Sequence, residues 1–383
     1  MSNNRNRGNG PRRRPRRVTK RKSRLRAVVK SLLIFAFVVT AVTAGGLGLW
    51  RHMVRPPEQP PVHAIFPEHV QPPARPREPD HTPAFIQDPE PDPADEDILD
   101  VLPPFIETDW QRRERFFTFL IFGLDEGANT DTIMVAGFDE IAGRGYLISI
   151  PRDTRVDVQR RVRKINAAYP AGRLHGGGHE GGVEQLKREV QTLIGFRPDF
   201  YVMLDMDVVV EIIDTIGGVE INVPFHMRYT QDTCQDLYID IPAGVQILDG
   251  HDAMNFARFR YADDGFRAIT DFTRMRHQQQ LLSALFRTMI RPANILLIPE
   301  LVSLGDELLT TDLERRHLAW FGQQLALTSS PYALETHTLP IRGNTGRAPW
   351  YEYPDPQGIL DLVNRTINPF TSDITLEMLR IAP

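Results

Sequence analysis

The chain has 383 residues, with 31 prolines, 27 glycines and a formal net charge of -4 that hides a division. Residues 1–30 carry thirteen Lys and Arg and no acid, which leaves 32 bases against 49 acids, a net of −17, for the remainder. Phosphate backbones reward basic faces, so a body this acidic excludes a main domain that binds nucleic acid; the single cysteine, Cys234, excludes an intrachain disulfide.

After the basic arm comes SLLIFAFVVTAVTAGGLGLW, Ser31 to Trp50, twenty residues without a charge. At helical rise this run matches the ~30 Å hydrocarbon core of a bilayer. It exceeds the apolar core of a cleaved signal peptide, about 7 to 15 residues. The expectation is an uncleaved signal anchor over 31–50, with residues 1–30 cytoplasmic and the rest beyond the cell membrane, because basic residues stay on the cytoplasmic side. Residues 51–114 include RPPEQPP and QPPARPREPD, with fifteen prolines between Arg51 and Ile106, and read as an extended polyproline-type linker.

From residue 115 apolar runs alternate with amphipathic stretches, which predicts one layered α/β domain over 115–375. Strands are expected at 117–124, 132–138, 145–150, 200–206 and 219–224. Helices are expected at 183–194, where Val183, Leu186, Val190, Leu193 and Ile194 share a face, at 207–216, along LDGHDAMNFARF, and along DFTRMRHQQQLLSALFRTMI. A closing strand and a short helix follow Thr338.

Polar residues at strand ends converge in open α/β sheets. The first strand exits into GLDEGANTD, giving Asp125 and Asp131, and the third into Pro151, Arg152 and Asp153. Two acids six apart suit one hard cation such as Mg2+, which takes one or two carboxylates plus phosphate oxygens and water; turn and cap residues have the same spacing. Arg258 and Arg260 would point to one side of an extended segment, and paired arginines suit a polyanion. Asp271, Arg274 and Gln278 share a helical face, and Lys164 stands in KINAAY. An acidic domain that gathers cations in so few motifs points to phosphate. Asp205 and Asp207 have the common DxD spacing, and HGGGHE (His175, His179, Glu180) reads as a flexible glycine loop rather than a zinc helix.

In order, FLIFGLDEGANTDTIMV, LISIPRDTRV, KINAAYPAG, VVEIIDTIGGVEINV, GVQILDGHDAMNFARFR and DFTRMRHQQQ resemble the LytR-CpsA-Psr (LCP) family of bacterial envelope proteins. The resemblance implies a three-layer α/β/α sandwich with a central mixed β-sheet, preceded by a single transmembrane helix. It also implies a membrane-anchored, Mg2+-dependent phosphotransferase that moves a glycopolymer from a polyprenyl diphosphate carrier to a peptidoglycan hydroxyl, with no nucleic-acid partner. Asp125 and Asp131 match the family's metal-associated acids, Arg152 the arginine of SIPRD, Lys164 the lysine before INxAY, Arg258 and Arg260 its RxR, and Gln278 the glutamine of DxxRxxRQ. Arg274, on the same helix, joins this diphosphate-binding set. Asn129 and His277 stand where many members have arginine. Arg152, Asp125, Asp131 and Asp153 are the expected catalytic residues, with the base open among the three acids. A lipid tunnel would draw on positions such as Leu186, Val190, Leu193, Val209 and Ile213, which core packing explains equally well. The alternatives are an envelope-related transcriptional attenuator, with only thirty cytoplasmic residues to touch DNA, and a lipid diphosphate pyrophosphatase.

Overall fold

Strand β1, Phe116–Leu124, alternates between two covered faces: Leu120 and Phe122 enter one core, while Phe117 and Phe119 meet aromatic rings on the other side. Thr130–Asp139 (β2) and Arg144–Ser149 (β3) continue antiparallel from it. Next come the short helix Ala168–Gly172 (α1), helix Gly178–Ile194 (α2), strand Phe200–Leu204 (β4) and helix Met206–Thr215 (α3). Four strands follow, Val219–Val223 (β5), Met227–Asp232 (β6), Leu237–Ile241 (β7) and Gly244–Leu248 (β8), then helices Gly250–Arg258 (α4) and Asp271–Met289 (α5). The chain closes with Ile298–Leu308 (α6), Thr310–Thr311 (β9), Arg315–Leu327 (α7), Leu334–Thr338 (β10), Ile341–Asn344 (β11), Glu352–Pro354 (β12) and Pro356–Arg365 (α8).

The computed structural model describes residues 55–60, 110–124, 129–232, 237–260, 269–327, 334–346 and 348–381. The basic arm, Ser31–Trp50, most of the proline-rich stretch, Asp125 and Cys234 lie outside the described residues. Among the described residues no helix is long and apolar enough to cross a membrane.

Six strands form the central sheet in the order β10-β3-β2-β1-β4-β9. It is mixed: β1 pairs parallel with β4 and β10 with β3, while the other neighbours are antiparallel. Helices cover both faces. Leu186, Val190 and Leu193 of α2, with Ile359, Leu362 and Val363 of α8, pack on Leu120, Phe122, Val135 and Ile148. On the other face Trp320 and Phe321 of α7 meet Phe117 edge-on at 5.4 Å each. A second core joins α3, α4 and α5 to β5–β8 through Ile213, Ile221, Ile239, Phe256 and Leu281.

The strand expected at 219–224 is present, and two other expectations need correction. The segment at 219–223 is a strand, but it pairs with β8 in a separate ribbon; Glu220 and Asn222 are exposed between buried Val219, Ile221 and Val223, a one-faced pattern that a sheet covered on both sides does not accept. The strand at 200 stops at Leu204, because Asp205 caps α3 by accepting the Asp207 N–H at 3.0 Å. HGGGHE is helical: a π-turn over Arg173–Gly177 runs into α2 at Gly178. Within it Gly178 takes a positive φ of 56° with open space where a Cβ would stand, and the glycines on either side of the stretch make the close contacts. A Cβ on Gly172 would lie 2.2 Å from the Gly181 carbonyl oxygen, and one on Gly182 would lie 2.7 Å from the Tyr169 ring, so α1 and α2 approach closely only without side chains there. Leu186, Val190 and Leu193 lie in the first core, and Val209 and Ile213 in the second.

Part of the proline-rich stretch belongs to the globular unit. Pro57 is buried, and Gln59 donates to the Phe116 and Arg113 carbonyls at 2.8 and 3.1 Å.

Candidate active site

Ile150 closes the β3 ladder by donating to the Ile133 carbonyl at 2.8 Å, and Pro151 brings no N–H to extend it. The chain turns at once. Thr154 donates its N–H and its hydroxyl to the Pro151 carbonyl at 2.9 and 2.6 Å. Residues 152–155 then lie between two neighbours: Arg155 bridges antiparallel to Lys164, and Thr154 bridges parallel to Glu352. Arg152 therefore leaves a backbone fixed on both sides.

Its guanidinium spans two acids. Asp131, the second residue of β2, accepts from Arg152 Nη1 at 2.7 Å and from Arg260 Nη2 at 3.0 Å, with Arg274 Nη1 at 3.7 Å. Asp271, the first residue of α5, accepts from Arg152 Nε at 2.9 Å and pairs with Arg274 Nη2 at 3.2 Å. Three guanidinium groups thus share two carboxylates, a cation surplus at the end of the sheet where β1 finishes.

Burial opposes the charge on Arg152, but the hydrogen bond and charge of Asp131, with Asp271 and Asp153 behind, raise its pKa above the ordinary arginine value. Arg274 shifts the other way: burial leads, the charges of Arg152 and Arg260 add to it, and its acids offset them only in part. It is 5 % exposed, and its Nε has no hydrogen-bond partner among the described residues.

Lys164 donates to Asp153 Oδ1 at 2.8 Å, so Asp153 is paired with a cation outside the arginine cluster. Arg258 does not join Arg260: it is the last residue of α4, exposed, with buried Phe259 between them. The equal-side geometry needed an extended chain, and the helix still includes Arg258 as its last residue. Gln278 is half-buried and makes no hydrogen bond among the described residues, whereas Gln279 donates to Ser149 Oγ at 2.8 Å and to the His337 carbonyl at 2.7 Å. His277 turns into the second core, 3 % exposed, with its ring 4.6 Å from that of Phe256. Its replacement of an arginine therefore concerns packing. His179 hydrogen-bonds the Tyr169 and Tyr201 hydroxyls at 2.9 and 3.2 Å.

Asp131 has the chemistry of a Mg2+ carboxylate, since that ion takes one or two carboxylates and completes its shell with phosphate and water. Among the described residues no three His, Cys, Asp or Glu are grouped to cage a metal, and both Asp131 oxygens hold arginine. The residues fit a cation that arrives with an anion able to draw the guanidinium groups.

Sequence reasoning missed Glu352. It reaches the site through one parallel bridge to Thr154, far away in the chain, and no local motif marks it.

The model of the LytR_cpsA_psr family matches residues 98–366. TagV of Bacillus subtilis, a "Polyisoprenyl-teichoic acid--peptidoglycan teichoic acid transferase", is 28% identical over 211 residues, 52% of this chain and 51% of that protein. The "Regulatory protein MsrR" of Staphylococcus aureus is 27% identical over 234 residues, 59% of this chain and 65% of that one. The chain thus spans about half to two thirds of these relatives. The crystal structure of Bacillus subtilis TagV superposes with a TM-score of 0.54 and 25% identity, over 71% of this chain and 100% of that one. With 98–366 matched from the last stretch before β1 through α8, the chain belongs to the LytR_cpsA_psr family.

Proposed function

We propose that the protein is a membrane-anchored phosphotransferase that moves a glycopolymer from a polyprenyl diphosphate carrier to a peptidoglycan hydroxyl, with Mg2+ as cofactor. The observation that carries this reading is the trio Arg152, Arg260 and Arg274 converging on Asp131. Such a surplus of guanidinium groups at a strand end suits a diphosphate, which replaces carboxylate oxygens with better-placed acceptors. Phosphoryl transfer asks mainly for positioning and charge neutralisation, so these residues supply most of what the reaction needs. The name of TagV supports the substrate class.

In this reading Arg152 and Arg274 hold the phosphate that becomes the leaving lipid phosphate, and Arg260 holds the transferred one. Lys164 keeps Asp153 and its turn in place. Asp131 and Asp125 would hold Mg2+, which would neutralise diphosphate oxygens. The uncharged run Ser31–Trp50 would anchor the chain in the cell membrane, with the 115–375 domain on the outer side and the proline-rich stretch as spacer.

The test is transfer by the full-length protein in detergent from a polyprenyl diphosphate saccharide to peptidoglycan glycan oligomers, with Mg2+. Arg152→Ala is expected to lower turnover by about 100-fold, the usual scale for losing one donor to developing charge. Product formation by wild type only as free saccharide phosphate, with oligomers present, would establish the pyrophosphatase reading instead.

A further inference from the structure

The acids around the arginine cluster are not equivalent. Asp131 and Asp271 are held by arginines, and Asp153 by Lys164. Glu352 makes no ion pair among the described residues; its side chain accepts a hydrogen bond from Asn344, its register partner on β11. Its place is nonetheless fixed at the site: its N–H donates to the Asp153 carbonyl at 3.0 Å and its carbonyl accepts from Arg155 N–H at 2.9 Å. The oxygens of Asp131, Asp271 and Asp153 that hold a guanidinium or ammonium group are not free to accept from an incoming hydroxyl. Glu352 has the opposite environment. Burial first, then the charges of Asp153 and Asp271, raise its pKa above the usual carboxylate value, and the Asn344 hydrogen bond offsets this only in part.

The same hairpin carries a second feature. Trp350 is 54% exposed, while Trp320 is 4% exposed in the core. It lies two residues before Glu352, about 7 Å along an extended chain. The tip is secured next to it: Tyr351 donates its N–H to Thr345 Oγ1 at 3.1 Å, and its hydroxyl accepts the Arg163 N–H at 3.3 Å. An exposed aromatic face on an anchored tip offers apolar area to the C–H face of a sugar ring at low entropic cost.

We infer that the β11–β12 hairpin is the acceptor half of the site, with Trp350 stacking on a sugar of the peptidoglycan glycan and Glu352 taking the proton from its hydroxyl. This rests on the transferase reading above. In-line transfer puts the attacking oxygen opposite the leaving one, so an acid that is free of the arginines belongs on the attacking side. The sugar oxygen forms its bond to the glycopolymer-bearing phosphorus as its proton passes to the Glu352 carboxylate. The bond from that phosphorus to the bridging oxygen breaks, the electron pair leaves with the lipid phosphate held by the arginines, and the proton on Glu352 passes to solvent. The charged groups facing Glu352 are Asp153 with Lys164 from the turn after β3, and Asp271 from α5.

The test uses the full-length protein in detergent with the saccharide donor and glycan oligomers described above, and reads transfer as a function of pH. Glu352→Gln keeps size and the Asn344 contact. It is expected to lower kcat by about 100-fold or more, to abolish the acidic limb of the pH profile, and to leave donor binding within about twofold. Trp350→Ala is expected to raise KM for the glycan about tenfold, with the effect on KM larger than that on kcat. Wild-type kcat with an unchanged acidic limb in Glu352→Gln, at an unchanged melting temperature, overturns the assignment of the base. An unchanged KM in Trp350→Ala overturns the subsite. If wild type binds and cleaves no donor at all, the transferase reading fails; if wild type transfers and both variants match it, this inference alone fails.

Discussion

Two ends of the sheet use arginine in opposite ways. Where β1 and β4 begin, Arg112 forms a forked pair with Asp199 at 2.7 and 2.8 Å, with side chains 8% and 0% exposed, and the Thr118 N–H fills the same carboxylate at 2.9 Å. One cation meets one acid, and every acceptor is taken. Where β1 ends, Asp131 is shared by three arginines, and the participating side chains are up to 45% exposed. The closed pair reads as structure and the open, cation-rich cluster as a binding device. Residue type alone does not separate them; stoichiometry and exposure do.

The largest effect is expected at the closed pair. Asp199→Ala strands the buried Arg112 and costs on the order of 3–5 kcal/mol, visible as a large drop in the denaturant midpoint, while catalytic constants of the folded fraction stay put. Arg152→Ala inverts that pattern, with turnover down by about 100-fold and a denaturant midpoint close to wild type. If both variants lost stability equally, the contrast between the two ends would break.

A smaller, pH-dependent effect belongs to His277. Burial, with a contribution from the charge of Arg276, lowers its pKa from 6.5 to about 4. The folded state resists protonation, so its stability is full above the unfolded pKa and falls as pH drops from about 6.5 toward 4, by on the order of 1 kcal/mol midway. In His277→Leu the urea midpoint should flatten across this window. The smallest effect is expected for Arg188→Ala, which removes an i,i+4 pair with Glu184 whose side chains are 42% and 37% exposed. Its stability change should stay within about 0.5 kcal/mol by chemical denaturation.

Much of this was legible because local pattern and tertiary role agree. The alternation in FFTFLIFGL, the stripe of α2 and the Gly195 stop, which has φ +82° and sits against Ile374, all follow from short-range rules. Arg152 was legible since Pro151 marks the strand end. The glycines of HGGGHE misled because consecutive glycines signal a loop, whereas the packing of α1 on α2 holds this stretch as a π-turn running into a helix. Arg258 misled because α4 continues through it. Glu352 was not legible at all: a bridge between residues 154 and 352 is a property of the assembled chain.

The central claim is that the surplus at Asp131 is a diphosphate clamp. Its most direct measurement is calorimetric binding of a short-chain polyprenyl diphosphate, with Mg2+, to the full-length protein and to Arg152→Ala, Arg260→Ala and Arg188→Ala. The account predicts affinity losses of about tenfold or more for Arg152→Ala and Arg260→Ala, on the scale of a charge-assisted hydrogen bond, and none for Arg188→Ala. Equal affinity across all four proteins would contradict it.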